Sequence, residues 1–403
     1  MAFGPLGLAA GQATSRVERA QRGDTLVLRS IGPGQWGTPK VATEVLRISG
    51  QSPNNPFGIL GEVALLPGGR VVVYDQRGTN GPALQVFDST GRFVRTVGRV
   101  GDGPGEFRTV SAGLAVDTDG NLLLYDGQLM RVNRYRVTGK LAGTNRLLSA
   151  AGGMGQPHIV AGPNGSFYAL SMFRPTNHRV LSQLDVFGYI RYARDGSAQD
   201  TVPPQHLWYS GETITDYDPT NTWTVHSDGR IVAMRTDLLG FLITGRGRPT
   251  LVELAGGPPT FSSVERRELQ GIQDYVERTT PKEGGVDRKH GVIPERKPAV
   301  RDMVVDQNGR VWLRRSAPSI RVAPRPGAFQ RPKAPPPPPR NFAEPQVWVA
   351  FTIGGTYLGE VHFPLGTRIK AFGRDIAWGV VLSGDDEPQL VKYRIPGIGS
   401  LRK

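Results

Sequence analysis

Apolar and polar positions along the chain fall into one recurring pattern: an apolar strand, a tight turn ending in Gly, and a second apolar strand. It appears over Glu62–Asp75 (EVALLPGGRVVVYD) and returns over Gly113–Asp126 (GLAVDTDGNLLLYD). Further copies are His158–Leu170 (HIVAGPNGSFYAL), Thr222–Met234 (TWTVHSDGRIVAM) and Asp302–Leu313 (DMVVDQNGRVWL). Pro-Gly-Gly, Asp-Gly and Asn-Gly between β-rich runs are strong hairpin signals, because such turns need positive φ, which Gly and Asn tolerate best. A degenerate sixth copy runs through Arg368–Asp375, Ile376–Leu382 and Leu390–Ile395.

The turn glycines Gly69, Gly120, Gly165, Gly229 and Gly309 are spaced by 51, 45, 64 and 80 residues. A four-stranded propeller blade takes roughly 40 to 50 residues, so the first two gaps fit directly and the later ones carry insertions. Second hairpins continue the units, as in Leu84–Asp88 with Arg92–Val97, and in Val132–Val137. One such sheet cannot bury both of its faces alone, so neighbours must stack around an axis. The pattern predicts an all-β, six-bladed β-propeller of four-stranded antiparallel blades. Val41–Ile48 (VATEVLRI) has no hairpin partner nearby and is expected to close the ring as the outer strand of the last blade, beside Leu390–Ile395. The expected organisation is a tail and lead-in over 1–40, the propeller over 41–396 and a short tail over 397–403.

Between the first two units, Gly98–Phe107 (GRVGDGPGEF) resembles the GR-x-G-x-GPGEF signature of bacterial six-bladed propellers related to NHL repeats. Asp75 and Asp126 at the strand ends, Asn308-Gly309-Arg310-Val311-Trp312, Trp378-Gly379, Asp385-Asp386 and Tyr393-Arg394-Ile395 are similar to that group as well. The resemblance implies the fold and is nearly silent about activity.

Composition narrows the class. Of 403 residues, 53 are Gly and 33 Pro, an excess of turn-formers that favours many short elements. No apolar run reaches the roughly 18 residues needed for a membrane-crossing helix. The absence of Cys excludes disulfides, thiolate metal sites and thiol nucleophiles. Met1–Ala13 (MAFGPLGLAAGQA) ends in small residues like a signal-peptidase site, which predicts an exported, periplasmic protein. It lacks a positive leading stretch, so a cytoplasmic protein with a disordered tail stays open.

Two insertions interrupt the units. Residues 261–279 carry Val264, Leu269, Ile272 and Val276 at helical spacing, predicting an amphipathic helix that joins the fourth and fifth blades. Residues 317–345 include five prolines, Pro335–Pro339, with Arg321, Arg325, Arg331, Lys333 and Arg340 around them. This is expected to be an extended loop within the fifth blade. The formal net charge is +14, and residues 240–345 hold 19 Lys/Arg against 11 Asp/Glu. Such a field can attract nucleic acid or another polyanion. The sparse aromatic interleaving disfavours nucleic acid, although some NHL-type propellers bind RNA on a basic face.

Candidate chemistry is sparse. Gly101–Gly105 lacks the Gly-Lys-Ser/Thr and the helix of a phosphate loop, and Asp117, Asp119 and Asn121 lack the closing Glu of a calcium loop. One constellation remains. Glu62, Gly113, His158, Thr222 and Asp302 each lie seven residues before a turn glycine, at the position that begins the innermost strand. Channel-facing Glu62, His158, Thr222 and Asp302 are therefore candidate ligand-binding residues, completed in the sixth unit by Lys370 or Thr367. No cofactor is expected. As an alternative, Glu62, His158 and Asp302 could hold one divalent cation such as Ca or Zn on the axis and activate water. Six-bladed lactonases of the gluconolactonase group, which this chain resembles in blade count but not in motif, use such an axial metal. The leading expectation is a monomeric, non-enzymatic scaffold that recognises a protein or small-molecule ligand through the loops around the axis. The alternatives are an axial metal-dependent hydrolase or lactonase, and polyanion binding through the basic insertions.

Overall fold

The computed structural model describes residues 15–398, apart from 53–54, 79–80, 109–112, 151–156, 174–186, 204–220, 280–291 and 326–334. Six sheets stand around one axis, and each begins with the strand of a sequence repeat. Blade 1 is Leu60–Leu66, Arg70–Asp75, Ala83–Phe87 and Phe93–Val97. Blade 2 is Gly113–Val116, Leu122–Asp126, Arg131–Tyr135 and Leu141–Arg146. Blade 3 is Ile159–Ala161, Phe167–Met172, Phe187–Tyr192 and Ala198–Val202. Blade 4 is Asn221–Val225, Ile231–Arg235, Gly240–Thr244 and Thr250–Leu254. Blade 5 is Val300–Val305, Arg310–Arg315, Gln346–Thr352 and Tyr357–Phe363. Blade 6 is Arg368–Phe372, Ile376–Leu382 and Pro388–Arg394, and its fourth strand is Thr43–Ile48.

That fourth strand closes the ring. Ile48 pairs with Leu390, Arg47 with Val391 and Thr43 with Arg394, antiparallel, as the unpartnered run before the first repeat predicts. Both chain ends thus share one sheet, and the edge that Pro388–Arg394 would otherwise expose is covered.

Period-2 alternation explains the stacking, since each second strand must bury both faces. In Arg70–Asp75, Val71 and Val73 pack toward blade 6 with Trp378 and Val380, while Val72 and Tyr74 pack toward blade 2 with Leu122 and Leu124. The core therefore divides into six clusters, one between each pair of neighbouring blades. The aromatic content is greatest between blades 5 and 6, where Trp312 stacks on Phe372 with centroids 4.0 Å apart.

The lead-in differs from the expected tail. Residues 1–14, including the signal-like segment, lie outside the described residues, but 16–41 are ordered on the propeller. Arg16–Arg22 and Thr25–Ile31 form a hairpin whose second strand adds to Thr250–Leu254 in parallel, making blade 4 six-stranded. Trp36 then packs against Trp312, and its backbone N–H donates to the Leu358 carbonyl at 2.7 Å. Gly359 (φ 147°) makes room for it, because a Cβ there would lie 2.9 Å from the indole.

The helix Ser263–Thr279 is N-capped by Ser262, whose Oγ accepts the Glu265 N–H. Its buried side chains are Glu265 and Tyr275, whereas Val264 and Val276 of the expected apolar stripe are exposed. The reason is a polar partner. Ile320–Arg325 pairs antiparallel with Arg340–Ala343, and Glu268 receives both the Asn341 backbone and side-chain N–H groups. Tyr275 donates to the Pro335 carbonyl at 2.7 Å, so the proline run lies against the helix. Fully buried Lys297 joins the two insertions, pairing with Glu265 at 3.1 Å and Glu344 at 3.4 Å. Of the basic residues expected around the prolines, Arg331 and Lys333 lie outside the described residues.

Two substitutions on the closing strand separate burial from mere presence in the sheet. Ile48→Ala (5% exposed) should lower unfolding free energy by about 2–4 kcal/mol. Val45→Ala (51% exposed) should cost under about 0.5 kcal/mol. Urea midpoints of the two variants measure the difference.

Candidate functional site

A cavity of about 1500 Å³ runs along the axis and is walled by the innermost strands. The resemblance motif does not line it. Gly98–Phe107 instead plugs the seam between blades 1 and 2. Glu106 accepts the Gly103 N–H at 2.7 Å, Arg131 donates to the Asp102, Gly103 and Glu106 carbonyls, and Tyr135 donates to the Gly105 carbonyl. Gly101 adopts φ 150°, a backbone conformation that favours glycine, and lies against the Glu106 carboxylate. Phe107, fully buried, packs edge-on to Tyr74. The motif is thus a structural clasp.

Other conspicuous acids are likewise committed to the frame. Asp75 and Asp126 accept backbone N–H groups that fix the approach to the innermost strands, from Gly58 and Ile59 and from Arg108 respectively. Asp117 accepts from the Asp119 and Asn121 N–H groups and forms an ion pair at 3.3 Å with Arg134, which donates to the Gly165 carbonyl of the next blade. Asp306 repeats this in blade 5. It holds Arg310 at 2.7 Å and the Trp312 indole N–H at 2.8 Å, while Arg310 reaches the carbonyls of Gly373 and Arg374 in blade 6. The Asp117 turn has its oxygens filled by these donors, which accounts for its acidic pattern.

The four candidate residues all line the axial cavity. Gly113, at the same repeat position, has a reason to be glycine: a Cβ there would lie 2.6 Å from the His158 Cβ. His158 stacks on Tyr125 (centroids 5.5 Å apart, 27° between planes), and burial alone pushes its imidazole pKa below the ordinary value. It stands on blade 3, away from the carboxylates. Glu62 and Asp302 are on blades 1 and 5, and between them on blade 6 stands Lys370, electrostatically coupled to both. Among the described residues no three His, Asp or Glu side chains converge as a metal-holding group, so the trio Glu62, His158 and Asp302 is not one ligand set. Of the two sixth-unit alternatives, Lys370 faces the acids. Thr367 is buried, with its hydroxyl 2.9 Å from that of Tyr393. Thr222 lines the blade 4 wall.

Solvent reaches Glu62 and Asp302 inside the channel, yet protein surrounds them, and the loss of bulk water dominates their electrostatics. It raises the Glu62 pKa, with Lys370 opposing and Asp302 reinforcing. It raises that of Asp302, opposed by Arg314, the Met303 N–H and Lys370. Arg314, the cross-strand partner of Asp302, is shifted down by desolvation and held up by Asp302 and Glu344. The innermost-strand register could not reveal Arg314, because it sits on the second strand. A signal was nevertheless available. Five residues after the turn glycine the other units hold Tyr74, Tyr125, Leu170 and Met234, and only the fifth holds a cation.

The side chains of Glu62, Lys370, Arg314 and Arg368 line this mouth of the cavity, and none of these side chains hydrogen-bonds to another described residue. Fold and site together define a six-bladed β-propeller whose axial channel opens on charged side chains of both signs. The family model DUF5128, a 6-bladed beta-propeller, matches residues 52–156. No curated protein matches the sequence. Among solved structures, the chain is similar to a candidate exported protein of Bacteroides fragilis at 12% identity (88% of this chain, 95% of that one, TM-score 0.45). It is also similar to a duf4221 family member from Bacteroides vulgatus at 10% identity (95% and 99%, TM-score 0.41). A third likeness is the PQQ-bound aldose sugar dehydrogenase of Streptomyces coelicolor, at 14% identity (90% and 100%, TM-score 0.39).

The raised Glu62 pKa has a definite sign in stability. The folded state holds the proton to higher pH than the unfolded chain does. Stability is therefore lost as pH climbs from the ordinary carboxyl range through the raised value. Glu62→Gln removes that loss, so its melting temperature relative to the wild type should rise between pH 4 and pH 8. A pH-independent difference would contradict the assignment.

Proposed function

We propose that the chain is a non-enzymatic binding propeller of the NHL-like kind that takes a small polar ligand into its axial channel. The observation that carries this reading is the set Glu62, Lys370, Arg314 and Arg368, whose side chains share one mouth without hydrogen-bonding to other described residues. Charged groups held in a partly desolvated channel gain more from a ligand's polar groups than they would on an open surface. Export is part of the proposal and rests on the small, weakly apolar segment Met1–Ala13.

Native mass spectrometry of the purified protein, followed by a thermal-shift screen of polar metabolites, tests the reading. The double variant Glu62→Gln/Lys370→Met keeps the local charge balance and should melt within about 2 °C of the wild type. It should lose the stabilisation that any channel ligand gives the wild type. A ligand that stabilises both proteins equally would overturn the proposal.

A further inference from the structure

The arrangement of charge around the mouth constrains the ligand further, granted that the channel is the binding site. Both signs of charge meet there across three blades. Glu62 stands on blade 1. Arg314 stands on blade 5, with Arg368 electrostatically coupled to it, and Lys370 of blade 6 lies between the acidic and cationic walls. The cross-strand neighbour of Arg314 is Asp302, which also accepts the Met303 N–H. Glu62 has no such neighbour among its hydrogen bonds. A ligand with only an anionic group would serve the Arg314 side and be repelled at Glu62 and Asp302. One with only a cationic group would meet the reverse difficulty. A neutral polyol would leave both walls without a countercharge, at a cost that grows as water is displaced.

We infer that this mouth binds a short zwitterionic peptide, with its terminal ammonium at Glu62 and its terminal carboxylate at Arg314, beside Arg368. A guanidinium accepts a carboxylate through two parallel hydrogen bonds, and a carboxylate accepts an ammonium, so each end meets the chemistry that recognises it. Glu62 and Arg314 belong to blades separated by a third. This favours the charge separation of a peptide, roughly 3.5 Å per extended residue, over the adjacent charges of a free amino acid. The cavity continues past the mouth between apolar residues such as Leu114, Met303 and Ile369, which leaves room for side chains.

Four probes with one skeleton test the inference: Ala-Ala, N-acetyl-Ala-Ala, Ala-Ala amide and N-acetyl-Ala-Ala amide, titrated calorimetrically, with glucose as a neutral polyol. Ala-Ala should bind at least roughly tenfold more tightly than either singly charged form, and the doubly blocked form should bind weakest. Glu62→Gln should weaken Ala-Ala and its amide while sparing the acetylated acid. Arg314→Met should do the opposite, weakening Ala-Ala and the acetylated acid. Tighter binding of glucose or of a singly charged form, lost in Glu62→Gln/Lys370→Met, would overturn the peptide inference and leave the channel-binding reading standing. Failure of all five probes would also overturn the peptide inference, and the metabolite screen then decides the broader reading on its own.

Discussion

The structure depends on one constraint: a sheet that is apolar on both faces has to find a neighbour on each side. Six such sheets meet that demand only by closing on themselves, and the closure is made by backbone hydrogen bonds from Thr43–Ile48 to Pro388–Arg394. Without that strand the last interface, between blades 6 and 1, would lose Ile48 and leave Leu390, Trp378 and Val71 partly uncovered. Because every inter-blade cluster draws residues from two sheets, stability is distributed around the ring. The arginine hydrogen bonds that cross between blades, Arg134 to the Gly165 carbonyl and Arg310 to the Gly373 and Arg374 carbonyls, add a polar register to the apolar one.

The same geometry creates the channel. Innermost strands that all run outward from one end bring equivalent repeat positions to one mouth, so single substitutions in a repeat become neighbours in space. Glu62, Lys370 and Asp302 meet in this way, although more than 300 residues separate the first from the second. Blade faces require apolar residues, while channel positions carry no packing demand, which frees them to differ from unit to unit. The six-fold scaffold therefore carries an asymmetric pattern: acid on blade 1, cations on blade 6, an acid–cation pair on blade 5, and on blade 3 an imidazole stacked against Tyr125 of blade 2.

Much of this was legible in the chain. The turn glycines located the first two strands of five blades, and the orphan run VATEVLRI pointed to the closing strand. The candidates Glu62, His158, Thr222 and Asp302 all line the cavity. What was not legible has physical reasons. A bulge between Ile369 and Ala371 shifts the sixth unit, so counting residues could not choose between Thr367 and Lys370. Arg314 enters from a neighbouring strand. Placement on a ring also does not specify which blades are adjacent to which charges, and so His158 reads as a partner of the acids until the ring is assembled. The helix was readable from periodicity, but its buried face was not, because that face is organised by buried Lys297 and by Glu265, residues that a hydrophobic pattern assigns to solvent. The lead-in over 16–41 was missed because it augments the outer edges of blades 4 and 5 and follows no repeat.

Ring closure is open to direct measurement, helped by the absence of native cysteine. Thr43 and Arg394 are exposed cross-strand partners at the closing seam, at a spacing that antiparallel neighbours share with disulfides. The double variant Thr43→Cys/Arg394→Cys, oxidised at low protein concentration, should form an intramolecular disulfide in nearly every molecule. Linking positions so far apart in sequence should then raise the unfolding free energy by about 3–5 kcal/mol over the reduced form. Free thiols that persist after oxidation, or disulfides that link separate chains, would show that the start of the chain does not lie beside its end, and the shared channel would fall with it.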